Sequence, residues 1–543
     1  MRVNEVTLNT TNEREAKTTA RARRWGLGVV LGAVTVTGLA AAPPDDWPMF
    51  GQNPANTAAT STPGQSMSSK QVGKLKPKWT FTTGGDVSAR AAVVGNAVYF
   101  PDWGGNIWAV NANNGKLIWS HKLSDYGLAT GTVSRTSPAV VNGIVYIGTQ
   151  YSPSGPTGWL LAINAATGAL VWKIQPVTSN PFPVITSSPT VAGGVVYVGM
   201  TSNEEFVAAA GSTYYHCCSV SGSVVAVNAS SGAKLWETDT VPAGYSGGAV
   251  WGSNPVVDAA RNTVFVGTGN NYSVPTDPAY VACISGGGTR ASCQSPNNHA
   301  DSILALDMTS GAVKWATRLE TWNQPGVTDG SDFWNVDCFV THTNCPTNPG
   351  PDYDFGSAPN EITYQTNSGP KTIIGAGQKS GIYYALDPDT GAELWHTQVG
   401  PGSSLGGMEW GSASDGQRIY VAIANLYGIP YATGSAGSWA ALDPATGAIL
   451  WQKADPNGAV DLGPLAVADG VVYAGSMAGS ATAPTMFALD ATNGNTLWSF
   501  AAGSSVNAGA TISGEIVYWG SGYAHLGIPG YTGGNNKFYA FAK

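Results

Sequence analysis

Two adjacent carboxylates, Glu204 and Glu205, follow a predicted strand at the end of the segment Val198-Gly199-Met200-Thr201-Ser202-Asn203. A carboxylate held at a strand end suits a hard cation such as calcium, which binds through oxygen atoms. Asn270 closes another predicted strand, in Gly267-Thr268-Gly269-Asn270, and offers an amide oxygen. The other reading is that the glutamates are solvated loop residues. A metal site therefore requires a fold that directs these strand ends into one cavity.

A short pattern recurs along the chain and predicts the elements that hold these strand ends. Each copy has an apolar pair, Ala, an apolar residue, Asp or Asn, a turn ending in Gly and then Trp. Seven whole copies end at Trp119, Trp172, Trp236, Trp315, Trp395, Trp451 and Trp498. The eighth copy is split between Trp79 near the start and Phe538-Tyr539-Ala540-Phe541 at the end.

Each copy predicts a strand, a tight turn and a second strand, because Gly supplies the positive φ that such a turn needs. The Trp is expected to pack against the neighbouring sheet. Units of this kind stack around an axis to bury both faces. The split copy therefore predicts an all-β, eight-bladed β-propeller over residues 41–543, with the last blade closed by N- and C-terminal strands. The longest insertions precede Trp236, Trp315 and Trp395, where we expect function to lie.

Residues 1–40 have the layout of a signal peptide, with basic residues ahead of an apolar segment that ends in small side chains. A membrane anchor is the alternative, although the segment is short for a span. Loss of its six basic and three acidic residues changes the formal net charge from −8 to −11. An acidic chain has no electrostatic footprint for nucleic acid. We expect a periplasmic or secreted protein with no membrane span in the mature chain.

Six cysteines in an oxidising compartment are expected to form disulfides. Short loops favour the pairs Cys283–Cys293 and Cys338–Cys345, which leaves Cys217 and Cys218 as a vicinal disulfide or two free thiols. No Cys-x-x-Cys-His motif occurs in the sequence, so no covalent c-type haem is expected on this chain.

With these motifs the chain resembles the quinoprotein alcohol dehydrogenases, and most of all their polyvinyl-alcohol dehydrogenase branch, over roughly residues 45–543. These propellers hold pyrroloquinoline quinone (PQQ) and calcium on their axis. The resemblance implies that Glu204, with Glu205 as the near alternative, and Asn270 bind the metal. It also implies that the Thr186 hydroxyl bonds the cofactor and that Trp251 forms a flat floor beneath it.

Lys379, in Gly377-Gln378-Lys379-Ser380-Gly381, matches the family position whose cation faces the quinone oxygens. Its charge would stabilise the negative charge that develops during hydride transfer. The Cys217-Cys218 pair matches the polyvinyl-alcohol branch and is expected near the cofactor, exposed toward the cavity. Trp410 and Asn425 resemble further cofactor contacts, and turns of a blade are the alternative.

The general base is expected among four aspartates. The family's base position is occupied here by Asn335, which cannot accept a proton. Asp337 ranks first, and it also matches an extra metal-binding aspartate of lanthanide-using relatives. Asp354 ranks second, followed by Asp332 and Asp352.

The resemblance implies an exported PQQ- and calcium-dependent dehydrogenase of secondary alcohols, polyvinyl alcohol or similar, with a lanthanide also compatible. A carboxylate would remove the hydroxyl proton while hydride passes to the quinone. A separate cytochrome c would accept the electrons. Two alternatives remain: a non-catalytic propeller scaffold for protein–protein interaction, and a quinoprotein fold without activity, for which Asn335 is the reason.

Overall fold

Eight four-stranded antiparallel sheets follow one another along the chain. The computed structural model describes residues 46–62, 67–150, 157–252, 254–319, 331–526 and 533–543. The predicted signal peptide, residues 1–40, lies outside this part of the chain. The prediction of an all-β, eight-bladed propeller is confirmed.

The strands are given blade by blade in chain order, from the first strand of each sheet to its last. Blade 1 contains Ala92–Val94, Ala97–Pro101, Asn106–Asn111 and Leu117–Lys122, and blade 2 contains Ala139–Val141, Ile144–Gly148, Leu160–Asn164 and Leu170–Ile174. Blade 3 contains Thr190–Ala192, Val195–Ser202, Ser223–Asn228 and Lys234–Asp239, and blade 4 contains Val256–Asp258, Thr263–Gly267, Ser302–Asp307 and Val313–Arg318. Blade 5 contains Asn360–Thr366, Gly369–Gly377, Ile382–Leu386 and Glu393–Gln398, and blade 6 contains Ala413–Ser414, Ile419–Ile423, Ser438–Leu442 and Ile449–Ala454. Blade 7 contains Ala466–Ala468, Val471–Gly475, Met486–Asp490 and Thr496–Phe500, and blade 8 contains Thr511–Ser513, Ile516–Gly520, Lys537–Ala542 and Lys76–Thr82.

A few short elements lie outside the blades. The α-helices and 3₁₀ turns are Glu204–Ala208, Pro278–Ser285, Val72–Lys74, Leu123–Tyr126, Val336–Phe339 and Ala524–Leu526. The short strands are Ala59–Thr60, Pro183–Val184, Ser357–Ala358 and Trp410–Gly411. None of the described helices is long and apolar enough to cross a membrane.

Blade 8 joins the two ends of the chain. Its outermost strand, Lys76–Thr82, pairs antiparallel with the C-terminal strand Lys537–Ala542, and Trp79 lies opposite Ala540. This pairing confirms the expected closure by terminal strands.

Each repeated Trp joins its blade to the next one. The indole of Trp315 in blade 4 donates to the carbonyl of Pro388 in the turn of blade 5. Trp119 and Trp451 make the same bond to Ala165 and Ala491 in the blades that follow them. The predicted packing of the Trp side chains on neighbouring sheets is confirmed.

The turn glycine in each repeat allows this contact. Gly391 has a φ of 71°, and a Cβ atom there would lie 2.5 Å from the indole of Trp315. Glycine is therefore required both for the backbone conformation and for the close approach of the Trp.

The antiparallel order of strands places all the long connections on one face. Links between first and second strands, and between third and fourth strands, are short turns at one edge. The links between second and third strands, and from one blade to the next, meet at the opposite edge, which also carries the inserted residues 203–222, 268–301 and 331–359. We call this edge the upper face.

Candidate functional site

The segments that enter the first strand of each blade line the axis of the ring. A small axial cavity is bordered by residues from seven of the eight blades, among them Arg90, Arg135, Thr186, Asn254 and Trp410. Most of these residues lie in the links from one blade to the next, so side chains from seven blades meet at the cavity. The ring therefore provides an axial site on its upper face.

Lys379 and two aspartates form a charged cluster beside this cavity, joined to it through Trp251 and the cavity residue Trp410. The Lys379 ammonium lies 3.0 Å from Asp352 Oδ1 and 3.4 Å from Asp354 Oδ2, and all three side chains are buried. Burial alone would lower the pKa of Lys379, but the charges of Asp352 and Asp354 outweigh it and raise that pKa above its ordinary value. Lys379 is thus a fixed positive charge at neutral pH.

Asp354 connects three other segments of the chain. Its Oδ1 accepts a hydrogen bond from the Asn270 backbone amide at 2.7 Å. Its Oδ2 accepts one from the Trp251 indole, also at 2.7 Å. Gly269 permits this approach, since a Cβ atom there would lie 3.0 Å from the Asp354 carboxylate. The structure therefore brings Asn270, Trp251 and Lys379 together through Asp354.

Trp251 presents its ring beside the charged cluster. The Lys379 ammonium lies 5.2 Å from the centre of that ring, within the range of a cation–π contact. Trp410 meets Trp251 edge-to-face, with ring centres 5.2 Å apart. The Thr186 hydroxyl donates to the Trp251 backbone carbonyl at 2.8 Å. Thr186 and Trp410 thus lie next to Trp251, and the cofactor contacts expected of them stay predictions.

The two adjacent glutamates differ in their surroundings. Glu204 is fully buried, and its carboxylate accepts hydrogen bonds from the backbone amides of Ser219 and Val220 and from the hydroxyl of Tyr215. These bonds occupy the carboxylate within its own loop.

Glu205 instead faces the axial cluster. Burial and the negative charges of Asp354 and Glu204 raise its pKa to about 7, against the opposing effect of Lys379. The metal-binding role expected of Glu204, with Glu205 as the near alternative, stays a prediction.

Two hydrogen bonds from its amide nitrogen hold the Asn270 side chain in one orientation. The side-chain nitrogen donates to the backbone carbonyls of Asn271 and Trp334, at 3.0 and 2.9 Å. These bonds leave the side-chain oxygen as the group that Asn270 can offer to a cation.

The cluster contains two further charged residues that the sequence does not single out, the buried Glu409 and the half-buried Arg135. Glu409 is buried, and its Oε1 has no hydrogen-bond partner within the described part of the chain. Burial raises its pKa to about 7, whereas Lys379 and Arg135 lower it. The Arg135 guanidinium lies 3.6 Å from the centre of the Trp410 ring. The repeat itself could have revealed Arg135, because Arg135-Thr136-Ser137-Pro138 precedes blade 2 as Thr186-Ser187-Ser188-Pro189 precedes blade 3.

The first-ranked base, Asp337, is engaged in a different loop. Its carboxylate accepts hydrogen bonds from Thr341 and from the Asn344 amide, the latter at 2.6 Å. Burial opposes its charge, but these bonds outweigh burial and lower its pKa. Asn335 is similarly bound to the Tyr272 and Asn344 carbonyls. Both side chains stabilise the loop closed by the Cys338–Cys345 disulfide.

Asp332 contacts the backbone of the segment that contains Asp352. Its carboxylate accepts the backbone amides of Asp352 and Tyr353, at 3.0 and 2.6 Å. It therefore holds the segment that carries Asp352 and Asp354.

All three expected disulfides are present, namely Cys217–Cys218, Cys283–Cys293 and Cys338–Cys345. Cys217 and Cys218 are partly exposed on the upper face, and the Cys217 amide donates to Asn344. Asn425 is engaged in its own loop, where it bonds Ile429 in both directions. The cofactor contacts assigned to Cys217, Cys218 and Asn425 stay predictions.

The charges of the cluster are suited to a bound cation. Four carboxyl groups lie near two cationic side chains, and burial raises the pKa of Glu205, Asp352 and Glu409, so a bound cation would favour their ionised forms; the six residues are Glu205, Asp352, Asp354, Glu409, Arg135 and Lys379. Among the described residues, no three His, Cys, Asp or Glu side chains form a metal site alone. A divalent ion here would therefore also use oxygen donors such as that of Asn270 or of a bound cofactor.

Comparison with known proteins identifies the repeats and the relatives. A family model described as outer membrane protein assembly factor BamB matches residues 59–214 and 378–533. The polyvinylalcohol dehydrogenase of Sphingopyxis sp. (strain 113P3) is 31% identical over 83% of this chain and 69% of its own length. A polyvinylalcohol dehydrogenase of Pseudomonas sp. is 31% identical over 89% of this chain and 74% of its own length.

The fold also matches a solved enzyme structure. The quinohemoprotein alcohol dehydrogenase ADHIIG of Pseudomonas putida HK5 superposes with a TM-score of 0.67 at 19% identity, over 92% of this chain and 80% of that one. At this identity the likeness concerns the fold alone. The identity to the two dehydrogenase sequences extends over most of this chain. Because of this similarity, the chain belongs to the polyvinylalcohol dehydrogenase family of PQQ-dependent, quinoprotein alcohol dehydrogenases.

Proposed function

We propose that this protein is an exported PQQ- and calcium-dependent dehydrogenase that oxidises secondary alcohols, including vinyl-alcohol polymers, and passes the electrons to a separate cytochrome c. The observation that carries the proposal is the position of Asp354, which contacts Lys379, Trp251 and Asn270 from other segments at the propeller axis. A buried charged cluster often stabilises a fold less than apolar residues of the same volume would. We therefore infer that this cluster is retained for its function.

Asp354 is the general base of this proposal. It lies within hydrogen-bond distance of the cationic Lys379 and the Trp251 indole, which together hold the carboxylate in place. A carboxylate fixed in this way can take the proton of a substrate hydroxyl. Asp337, Asp332 and Asp352 then position loops or charges.

The other residues would hold the cofactor. Trp251 provides the aromatic floor, and Thr186 and Trp410 fix that ring. Glu205 and the Asn270 amide oxygen would bind the cation, with Glu205 in place of Glu204. When bound, the quinone supplies the hydride acceptor and calcium supplies a Lewis acid. Lys379 would stabilise the negative charge that results.

Export is supported by the signal-peptide layout of residues 1–40 and by three disulfides, which are typical of oxidising compartments. A separate cytochrome c is proposed because the sequence has no haem-attachment motif.

A propeller scaffold is the second candidate, since the matching family model describes an assembly factor. A scaffold would bind no quinone. Protein incubated with PQQ and calcium and then freed of excess cofactor should retain the absorbance of bound quinone. It should also reduce a dye in the presence of secondary alcohols.

Lys379→Ala supplies the critical variant in this assay. PQQ should remain bound, while turnover should fall by about 100-fold, the order of loss when one charge-stabilising group is removed. Lys371→Ala, at an exposed lysine of the same blade, should behave as the parent. Parental turnover in Lys379→Ala would refute the role of Lys379, and absence of bound quinone in the parent would favour the scaffold.

A further inference from the structure

An open groove lies between blades 5 and 6. Its walls are the end of strand Glu393–Gln398, the following residues to Gly402, the loop 427–432 and strand Ile449–Ala454, and its volume is about 650 Å³. We call it the blade 5–6 groove. Tyr427, Ile429 and Ile449 line it with exposed fractions of 57%, 44% and 41%. Exposed apolar side chains that adjoin one another in a concave surface are typical of binding sites.

The polar groups of this groove are neutral. None of the twelve described residues that border it carries a charge. Gln398 donates its amide hydrogens to the carbonyls of Ser380 and Gly400, and Gln452 donates to Val399 and Ser438. The side-chain oxygens of the two glutamines remain as acceptors for hydroxyl groups. Apolar surface with hydroxyl acceptors suits an uncharged chain that carries both methylene and hydroxyl groups.

The inner end of the groove borders the catalytic cluster. Tyr353, which lies between Asp352 and Asp354 in sequence, forms part of the groove wall. Gly402 packs so closely that a Cβ atom added to it would lie 2.8 Å from the Tyr353 ring and 2.9 Å from the Lys379 carbonyl oxygen. The Ser403 amide donates to the same Lys379 carbonyl at 3.1 Å. The segments that hold Asp354 and Lys379 on one side therefore form the groove on the other.

One residue of the outer wall is held in place by a hydrogen bond. The Tyr427 hydroxyl lies 2.9 Å from the Ser404 hydroxyl, which fixes the ring although its face is exposed. A preorganised aromatic surface loses little conformational entropy when a flexible chain binds to it.

We propose that the blade 5–6 groove binds several repeat units of a polymeric secondary alcohol, next to the unit that is oxidised at Asp354. The inference rests on the proposed function and adds a subsite that favours polymer over small alcohols. The occupant is a neutral polymer of alternating methylene and hydroxyl-bearing carbons. An acidic or basic polymer would find no charged partner among the residues that border the groove.

Ile429→Asp tests this subsite, with Ile118→Asp as the matched control. The two isoleucines are equally exposed, at 44% and 45%, but Ile118 lies on the outer strand of blade 1. A carboxylate at position 429 would have to lose hydration when the polymer covers it. Both variants should fold as the parent does, because both side chains face solvent.

Two measurements are needed. Calorimetric titration with a vinyl-alcohol oligomer, without electron acceptor, should show at least tenfold weaker binding for Ile429→Asp and parental binding for Ile118→Asp. In the dye-linked assay, the ratio of kcat/KM for polyvinyl alcohol to kcat/KM for propan-2-ol should fall at least tenfold in Ile429→Asp only.

The outcomes separate the groove from the dehydrogenase. If the oligomer binds both variants as it binds the parent, or does not bind the parent, the groove proposal is overturned. An equal loss of kcat/KM for polymer and for propan-2-ol would also overturn it. Oligomer binding that weakens only in Ile429→Asp, in a protein that oxidises no alcohol, would support the groove and refute the proposed function.

Discussion

At the scale of residues, the site depends on which carboxylate reaches the axis. Four candidate aspartates, Asp332, Asp337, Asp352 and Asp354, follow blade 4, and of these only Asp352 and Asp354 contact Lys379 in the described structure. Asp337 ranks first from the sequence because of its match to a family position, but its carboxylate is bound by Thr341 and Asn344. Asp354 also accepts hydrogen bonds, but its partners include Lys379 and Trp251, whereas those of Asp337 belong to its own loop, and for this reason we propose Asp354 as the base.

Asp354→Asn should lower kcat in the dye-linked assay by at least about 100-fold, since a positioned general base contributes this order of rate. Bound quinone should persist. Asp337→Asn is the control: it should keep kcat near the parental value and lower the melting temperature, because Asp337 accepts three loop hydrogen bonds. A larger loss of kcat in Asp337→Asn than in Asp354→Asn would return the base to Asp337.

The neighbouring glutamates offer a second matched pair. Glu205→Gln should weaken calcium binding at least tenfold, because a neutral amide is a poorer ligand for a divalent ion than a carboxylate. Glu204→Gln should instead destabilise the loop that Ser219 and Val220 belong to, by about 1–3 kcal/mol, with calcium affinity retained. Calcium titrations and thermal melts distinguish them, and the reverse pattern would assign the metal to Glu204.

At the scale of elements, the link between blades 6 and 7 contains a buried acidic pair. Asp455 follows strand Ile449–Ala454, and both Asp455 and Asp461 are almost fully buried. Burial, together with the charge of Asp455, raises the pKa of Asp461 well above its ordinary value of 3.8. Burial also raises the pKa of Asp455. The link is therefore most stable when this pair retains a proton.

The sign of the pH dependence follows from this direction. A carboxyl whose pKa is raised in the folded state stabilises the fold fully below its unfolded pKa, and the stabilisation is lost as pH rises toward the folded pKa. As pH rises from 4 to 9, the free energy of unfolding should therefore fall less in Asp461→Asn than in the parent. The difference in slope should be about 1.4 kcal/mol per pH unit wherever unfolding of the parent releases one more proton than unfolding of the variant. Denaturant melts across this range would measure the difference.

Glu515→Gln, at an exposed carboxylate, serves as the control for Asp461→Asn and should follow the parental pH profile. Identical profiles for the parent and Asp461→Asn would show that the pair is ionised in the folded state.

At the scale of the whole molecule, stability depends on closing the ring. The C-terminal strand Lys537–Ala542 pairs with Lys76–Thr82 on one side and Ile516–Gly520 on the other. Phe538 stacks on Phe100 of blade 1, with ring centres 4.1 Å apart. The last strand thus completes blade 8 and contacts blade 1 at the same time.

Phe538→Ala should lower the free energy of unfolding by about 3–5 kcal/mol, the usual cost of truncating a buried phenylalanine. Lys537→Ala, which removes an exposed hydrogen bond to Thr82, should change it by about 0.5 kcal/mol or less. Equal losses in the two variants, measured by thermal and denaturant unfolding, would contradict closure through Phe538.

The predictable part of the site consists of residues tied to the repeat or to a family motif. Trp251, Asn270 and Lys379 each stand at a defined place beside a strand, and the structure brings all three together at Asp354. The choice between the neighbours Glu204 and Glu205 shows which part of the site cannot be predicted from the sequence. Adjacent residues in a short helical turn point in different directions, and sequence counting cannot select between them.

The fold can be predicted from the sequence, because the turn glycine and the Trp of every repeat impose the same local contact between blades and the split copy requires closure. Short loops also predict the pairs Cys283–Cys293 and Cys338–Cys345, whereas the bond between Cys217 and Cys218 is established by the structure. The structure was also needed to show which carboxylates lie together, that Arg135 and Glu409 join them, and that a neutral groove lies behind Tyr353. These features depend on side chains from separate blades meeting in space, and the electrostatic cost of their burial is set by neighbours that lie far apart in the chain.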